Sequence, residues 1–496
     1  MIRWTLLALF MAWAGMALAQ PASMTSLGDL PGGTTRSVGY GISRDGSWIA
    51  GSSFSPSGEE AIRSDGLALL GLGDLSGGSF GSIGYAVSNT GLVVGIGTSS
   101  SGFEGFRATP MTGMGDLPGG SFSSTARAVT PNGAIIVGIG TGTSGSTAWR
   151  WQGAGLVALA DLPGGTLFSE AHGVSDDGLV IVGRSSSAAG SEACFWSAGT
   201  VTPLGDLSGG AVSSVAFATN ADGSVHVGWG TSSNGQEATR WALGVPTGLG
   251  DLSGGTFSSI AYGVSADGQV VVGSGTGPSA VEAFIWTAGM GMRRLRDVLV
   301  VDMKVTGLTN WGLIDARAIS ADGRRIVGTG LNPTGNREAV VIQLPPRGAI
   351  SGWVQQSGYT GSLAWATFSL ELLTPGTQSV VFQQNFLVDS QRNFSVPTSL
   401  RGTFDVAIQG PAWLRKRYPN VVISDLGSPW IVVNLVPGDA DGDNEVTNAD
   451  YSIWAFCNGA SLGEPLYDPR VDWDGDGEVT NADYSIWASQ NGQVGD

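Results

Sequence analysis

The sequence predicts a mainly β chain: a seven-bladed β-propeller over residues 25–344, a β-sandwich over 347–436, and a small α-helical module of paired loop–helix units over 437–496. Three observations predict it: an excess of glycine, a phrase that recurs every 42 to 46 residues, and two matching acidic loops near residue 496. The 80 glycines are about twice the share of an ordinary globular chain, and charged residues are scarce at 13%. That composition suits strands joined by tight turns, so helix is expected only locally.

Ahead of the repeats, Arg3 precedes an apolar run from Trp4 to about Ala14, and Ala17-Leu18-Ala19 stands before Gln20. A basic residue, a short apolar run and an Ala-x-Ala site have the pattern of a signal peptide over residues 1–19, removed on export. The run is shorter than the roughly 20 apolar residues a spanning helix needs. The expectation is a secreted, extracellular or cell-surface protein with no membrane span after cleavage. Export permits disulfides, but Cys194 and Cys457 fall in different predicted domains and no bridge is assigned.

The Asp-Leu-(Pro/Ser)-Gly-Gly phrase recurs with its Asp at Asp29, Asp74, Asp116, Asp161, Asp206 and Asp251, and Leu295-Arg296-Asp297-Val298 is a degraded copy. Each unit then carries a stretch such as Ala261 to Gly268, a β-branched run such as Val270-Val271-Val272-Gly273, and a stretch such as Glu282 to Trp286. Together these make four strand-length pieces separated by turn residues, a meander that cannot bury both faces alone and must stack on its neighbours. A repeat of this length with four strands has the size of a propeller blade. The seventh unit ends without its last strand at Ile342, while an unattached Leu27-Gly28-Asp29-Leu30 precedes the first. The N-terminal strand is therefore expected to complete the last blade and remove two open edges; a β-solenoid, the competing architecture, leaves that arrangement unexplained.

These phrases resemble the HAF family of bacterial extracellular repeats, in the Leu249–Gly255, Ala261–Gly273 and Ala283–Trp286 stretches and over about residues 25 to 344. The resemblance implies an extracellular repeat protein and no particular chemistry.

Catalysis in the repeats finds little support. His172 occupies the slot filled elsewhere by Tyr40, Tyr85, Arg127, Phe217, Tyr262 and Arg317, while His226 lies inside a Val-x-Val-Gly strand and Cys194 takes the place of Phe284. Glu60, Glu104, Glu192, Glu237, Glu282 and Glu338 recur blade after blade, whereas catalytic carboxylates work as an unequal pair. The repeated Asp and Glu side chains are thus expected to hold turns. A non-catalytic role is favoured; the alternative is a polysaccharide-binding or polysaccharide-degrading component, a glycoside hydrolase if it is an enzyme.

After Pro345-Pro346 the repeats end. Alternating stretches at Trp365–Leu372, Gly402–Gly410 and Trp430–Val436 read as half-buried strands of a sandwich similar to the carboxypeptidase-regulatory type of accessory module, and Arg415-Lys416-Arg417 reads as a solvated turn.

The net charge is −17, and residues 437–496 hold 13 Asp or Glu against the single basic Arg470, leaving about −5 elsewhere. No basic patch argues for nucleic acid. In the first acidic loop Asp439, Asp441, Asp443, Thr447 and Asp450 take positions 1, 3, 5, 9 and 12, with the carbonyl of Glu445 at 7; Asp472, Asp474, Asp476, Glu478, Thr480 and Asp483 repeat the set. Oxygen on alternate residues of a twelve-residue loop is the ligand pattern for Ca2+, which takes about six to eight oxygens at flexible geometry, and two ions are expected. Crowded carboxylates without a cation repel, so the metal-free tail is expected to be largely unfolded.

Pro437-Gly438 and Pro469 leave no entering helix, and Tyr451–Phe456 and Tyr484–Ser489 read as exiting helices. Residues 445–455 and 478–488 are identical, implying near two-fold symmetry. This loop–helix duplicate resembles the dockerin family. The resemblance implies a cohesin-like partner or cell-surface scaffold, read by residues near loop positions 10 and 11, here Asn448, Ala449, Asn481 and Ala482.

Overall fold

The computed structural model describes residues 21–108 and 110–496; the stretch read as a signal peptide lies outside the described residues. The chain is mainly β, and its two longest helices are Asn448–Cys457 and Asn481–Gln490. The described residues divide into two compact units, 22–347 with 424–426, and 348–423 with 427–496.

In the first unit the repeats form four-stranded antiparallel sheets in chain order, beginning with Ser37–Ile42, Ile49–Ser55, Gly58–Ser64 and Leu69–Gly71. The second and third sheets are joined by one parallel bridge between Ser123 and Phe103. The last sheet takes three strands from its own repeat, Gly312–Ile319, Arg325–Leu331 and Arg337–Gln343, and its fourth is Ser23–Ser26, in register from Ser23 opposite Gln343 to Ser26 opposite Val340. The edge that Arg337–Gln343 would leave open is thereby paired, as the sequence leads one to expect.

Each sheet buries apolar residues of its first three strands against the next, and glycines in the second strands lie close to neighbouring backbone. Val94, Ala126, Ile136 and Trp149 form one such interface, and Ile42, Ile49, Val327 and Val341 form another between the first sheet and the last. A serine latches the sheets: the N–H of Ala61 donates to Ser82 Oγ at 2.9 Å, that of Ala193 to Ser214 at 2.9 Å and that of Ala238 to Ser259 at 2.9 Å. The same bond joins Ala339 to Ser37 at 2.9 Å.

The degraded copy departs from expectation. Leu295–Asp297 is a helical turn running into a π-helical turn over Val298–Asp302, not a strand turn. Leu295, Val298 and Leu299 stand at helical spacing and are fully buried, so burial selects the helical period there.

In the second unit, Ala349–Gln355 pairs with Asn393–Pro397 and Ile431–Asn434, and Phe368–Leu373 pairs with Val380–Phe386 and Gly402–Gly410. The two sheets share a core that includes Ile350, Phe368, Leu370, Val406, Trp413 and Val433. Arg415-Lys416-Arg417 is not a turn but part of the strand Trp413–Ile423, where Arg415 reaches Glu371 at 2.6 Å and Arg417 reaches Asp405 at 2.5 Å. Sequence alone hides this because a cation on a strand's open face looks the same as one in a turn.

Candidate metal centre

Thr447 and Thr480 end the two acidic loops and begin the two helices. Each is an extended N-cap in a capping box: its hydroxyl accepts from the backbone of the following turn, and Asp450 or Asp483 returns a bond to the cap's own N–H at 2.7 or 2.8 Å. The helices therefore start three residues earlier than the sequence suggests, at Asn448 and Asn481. Asn448, Ala449, Asn481 and Ala482 become exposed first-turn residues.

The loops bring positions 1, 3 and 5 together. One oxygen from each of Asp439, Asp441 and Asp443 lies within 4.8 Å of the others, and Asp472, Asp474 and Asp476 form the matching group. Asp439 is fully buried, and its Oδ1 has no hydrogen-bond partner. Burial pushes the Asp439 carboxyl up to about 6, with Asp450 and Asp443 adding repulsion; burial does the same to Asp483, also to about 6. The neighbouring cation, Arg470, is spent on Asp468 at 2.7 Å. A buried orphaned carboxylate oxygen amid three converging carboxylates fits a hard divalent cation, with Glu445 and Glu478 offering position-7 carbonyls and Thr447 and Thr480 standing at position 9.

The position-12 aspartates lie outside these three-carboxylate groups. Asp450 Oδ1 accepts from Ala440 N at 2.7 Å and Asp441 N at 3.1 Å, and Asp483 Oδ1 accepts from Trp473 N at 2.6 Å and Asp474 N at 3.2 Å. Each one ties the start of its loop to the helix cap. At position 6 both Asn444 and Gly477 are left-handed, with φ of 72° and 93°. Asn444 has a use glycine lacks: its Oδ1 accepts from Arg415 N at 2.7 Å.

The two halves interlock. Val446 N donates to Gln493 O at 2.8 Å and Val446 O accepts from Gly492 N at 2.8 Å, while Val479 N donates to Ala460 O at 2.9 Å and Val479 O accepts from Gly459 N at 2.7 Å. Trp454 Nε1 donates to Thr480 O at 3.1 Å, and Trp487 Nε1 to Thr447 O at 3.2 Å. One asymmetry was invisible in the loop pattern: Asp472 Oδ1 accepts from Gly475 N at 2.8 Å and its Oδ2 from the Tyr467 hydroxyl at 2.6 Å, whereas Asp439 Oδ1 has no hydrogen-bond partner.

Several of the repeated carboxylates of the first unit hold turns, while Glu282 pairs with Arg294 at 2.8 Å, Glu338 accepts from Asn332 Nδ2, and the buried Asp161 Oδ1 has no hydrogen-bond partner. Asp116 accepts from Leu117 N at 2.8 Å, Ser123 N at 2.7 Å and Thr141 N at 3.2 Å, and Asp74, Asp206 and Asp251 do likewise. Glu60, Glu104 and Glu237 accept from Gly73, Gly115 and Gly250 N at 2.8, 2.9 and 3.0 Å. Cys194 and Cys457 are free and buried, and His226 stacks on Phe195 at 5.7 Å with its pKa lowered by burial to about 4.

No protein-family model matches the chain, and no curated protein matches it. Among solved structures it is similar to a type II cohesin–X-dockerin complex from Acetivibrio cellulolyticus, an N-terminal interface mutant, at 20% identity over 29% of this chain and 96% of that one, TM-score 0.24. It is also similar to the putative TolB of Agrobacterium tumefaciens at 14% identity over 52% and 88%, TM-score 0.32, and to TolB of Acinetobacter baumannii at 10% over 64% and 66%, TM-score 0.34. Among the described residues no helix is long and apolar enough to cross a membrane.

Proposed function

We propose that this is a secreted, modular, non-catalytic binding or surface-assembly protein of the HAF repeat type, built as a seven-bladed β-propeller, a β-sandwich and a dockerin-like tail. The tail takes two Ca2+ ions and attaches the chain to a cohesin-like partner or cell-surface scaffold through the exposed first-turn residues Asn448, Ala449, Asn481 and Ala482. The observation that carries the reading is the pair of in-register loops whose first, third and fifth aspartates converge, one with a buried oxygen left without a partner. Calcium bound there supplies charge neutralisation, and Thr447 and Thr480 hold the helices that present the docking residues. Calorimetric titration of Ca2+ into the chelator-treated chain is expected to give about two ions per chain. Cohesin capture that is present with calcium and lost with chelator completes the test; no calcium heat would sink the proposal.

A further inference from the structure

Every repeat sheet carries a one-residue bulge at the same place in its first strand, and the extra residues are those aligned with His172. The register skips Tyr40 in the first sheet and Tyr85 in the second, then Arg127, His172 and Phe217, then Tyr262 and Arg317. A bulge re-aims its side chain, and here the seven side chains converge on one another. Tyr40 meets Tyr85 edge-on at 5.4 Å, Arg127 sits 4.4 Å over Tyr85, His172 meets Phe217 at 5.2 Å, and Phe217 meets Tyr262 at 5.8 Å. Arg317 closes the circuit, 4.3 Å over Tyr262 and 6.0 Å from Tyr40. All seven are only partly buried, so the belt faces solvent at a common centre. Among the described residues, the join without a ring contact is the one between Arg127 and His172.

The charges around this belt nearly cancel. Arg317 is paired with Asp315 at 2.9 Å, Arg184 with Glu170 at 2.7 Å, and Arg44 with Asp176 at 2.6 Å. Arg127 alone has no carboxylate, and its buried Nε has no hydrogen-bond partner. Burial lowers the pKa of His172, so at neutral pH it adds a hydrogen-bonding ring and no second positive charge.

We infer that the belt is a binding site for a monocarboxylate borne on a six-membered ring, its carboxylate on Arg127 and its ring against Tyr85, His172 and Phe217. Glu59 near Tyr40 has no ion pair among the described residues, so the belt carries no surplus charge overall; Arg127 is the guanidinium with no carboxylate of its own, and its planar fork suits one. A phosphate dianion would bring surplus charge close to Glu170, Asp176 and Asp315. Aromatic edges and faces suit either the C–H face of a hexuronate sugar or the face of an aromatic acid. The site is independent of the calcium reading of the tail.

The test is calorimetric titration of the full chain with D-galacturonate and with benzoate, alongside D-galactose, acetate and phosphate. One of the two ring acids is expected to bind at least tenfold more tightly than galactose and acetate, and which one binds identifies the source. Arg127→Gln is expected to weaken that binding roughly ten- to hundredfold, the worth of a charge-assisted hydrogen bond. Failure of both acids, or phosphate binding as tightly, overturns the inference. The ligand comparison on the unaltered chain decides the matter even if Arg127→Gln does not fold.

Discussion

The hydroxyl of Ser37 accepts a hydrogen bond from the backbone N–H of Ala339 at 2.9 Å, across 302 residues of sequence. The bond is the same one that Ser259 makes with Ala238 and Ser214 with Ala193, so the last sheet holds the first as any sheet holds the next. Ser37→Ala would leave the buried Ala339 N–H without an acceptor, at about 1–3 kcal/mol. Urea unfolding of Ser37→Ala and Ser259→Ala is expected to give equal losses. A negligible loss for Ser37→Ala alone would mean that the first and last sheets are not held together.

Asp116→Ala strips three backbone N–H groups of their acceptor and is expected to destabilise the repeat unit by about 3 kcal/mol. Asp116→Asn keeps one acceptor oxygen and is expected to lose about half as much. Since the carboxylate holds a turn, neither variant should alter the calcium titration, which checks that the repeats carry no share of the metal site.

Asp439→Asn and Asp472→Asn each remove the first ligand of one loop, and calorimetry is expected to fall from about two ions to one in either variant. The pH dependence has a definite sign. The Asp439 and Asp483 carboxyls are raised to about 6, so between about pH 4 and 6 the folded metal-free tail holds more protons than the unfolded chain. Its stability therefore falls as pH rises through that window. With calcium present the order reverses, because the ion needs the deprotonated carboxylates. Thermal melts with and without chelator at pH 4.5 and 7 check both arms.

His226 gives the first unit an opposite slope. Its folded pKa is lowered to about 4 by burial, against an ordinary value of about 6.5, so only the unfolded chain takes the proton between those values. The contribution is intact above about pH 6.5 and is lost progressively as pH falls toward 4, on the order of 3 kcal/mol in all. His226→Gln is expected to flatten the dependence of the repeat unit's melting on pH in this range.

Replacing Asn444 by glycine keeps the left-handed turn but removes the acceptor for Arg415 N. Calcium affinity is expected to hold, while the melting transition of the second unit falls by the worth of one hydrogen bond, about 1 kcal/mol. Differential scanning calorimetry of the calcium-loaded chain reads the two effects apart.

The sequence by itself determined whatever depends on local period and spacing. The Asp-Leu-(Pro/Ser)-Gly-Gly phrase marks each sheet, alternate-residue oxygens mark the two loops, and Leu27 to Leu30 standing apart from any repeat announces that the N-terminal strand completes the last sheet. These signals are readable because a turn, a strand face and an acidic loop each impose a fixed short-range pattern on the chain. Tertiary structure alone decided what depends on long-range convergence. It put Tyr467 on Asp472 and Asn444 on Arg415, made Arg415 to Arg417 part of a strand, and turned Leu295 to Leu299 into helix. It also drew Tyr40, Arg127, His172 and Arg317 into one belt: their alignment is plain in the sequence, but the bulge that aims them at each other exists only once neighbouring strands have set the register.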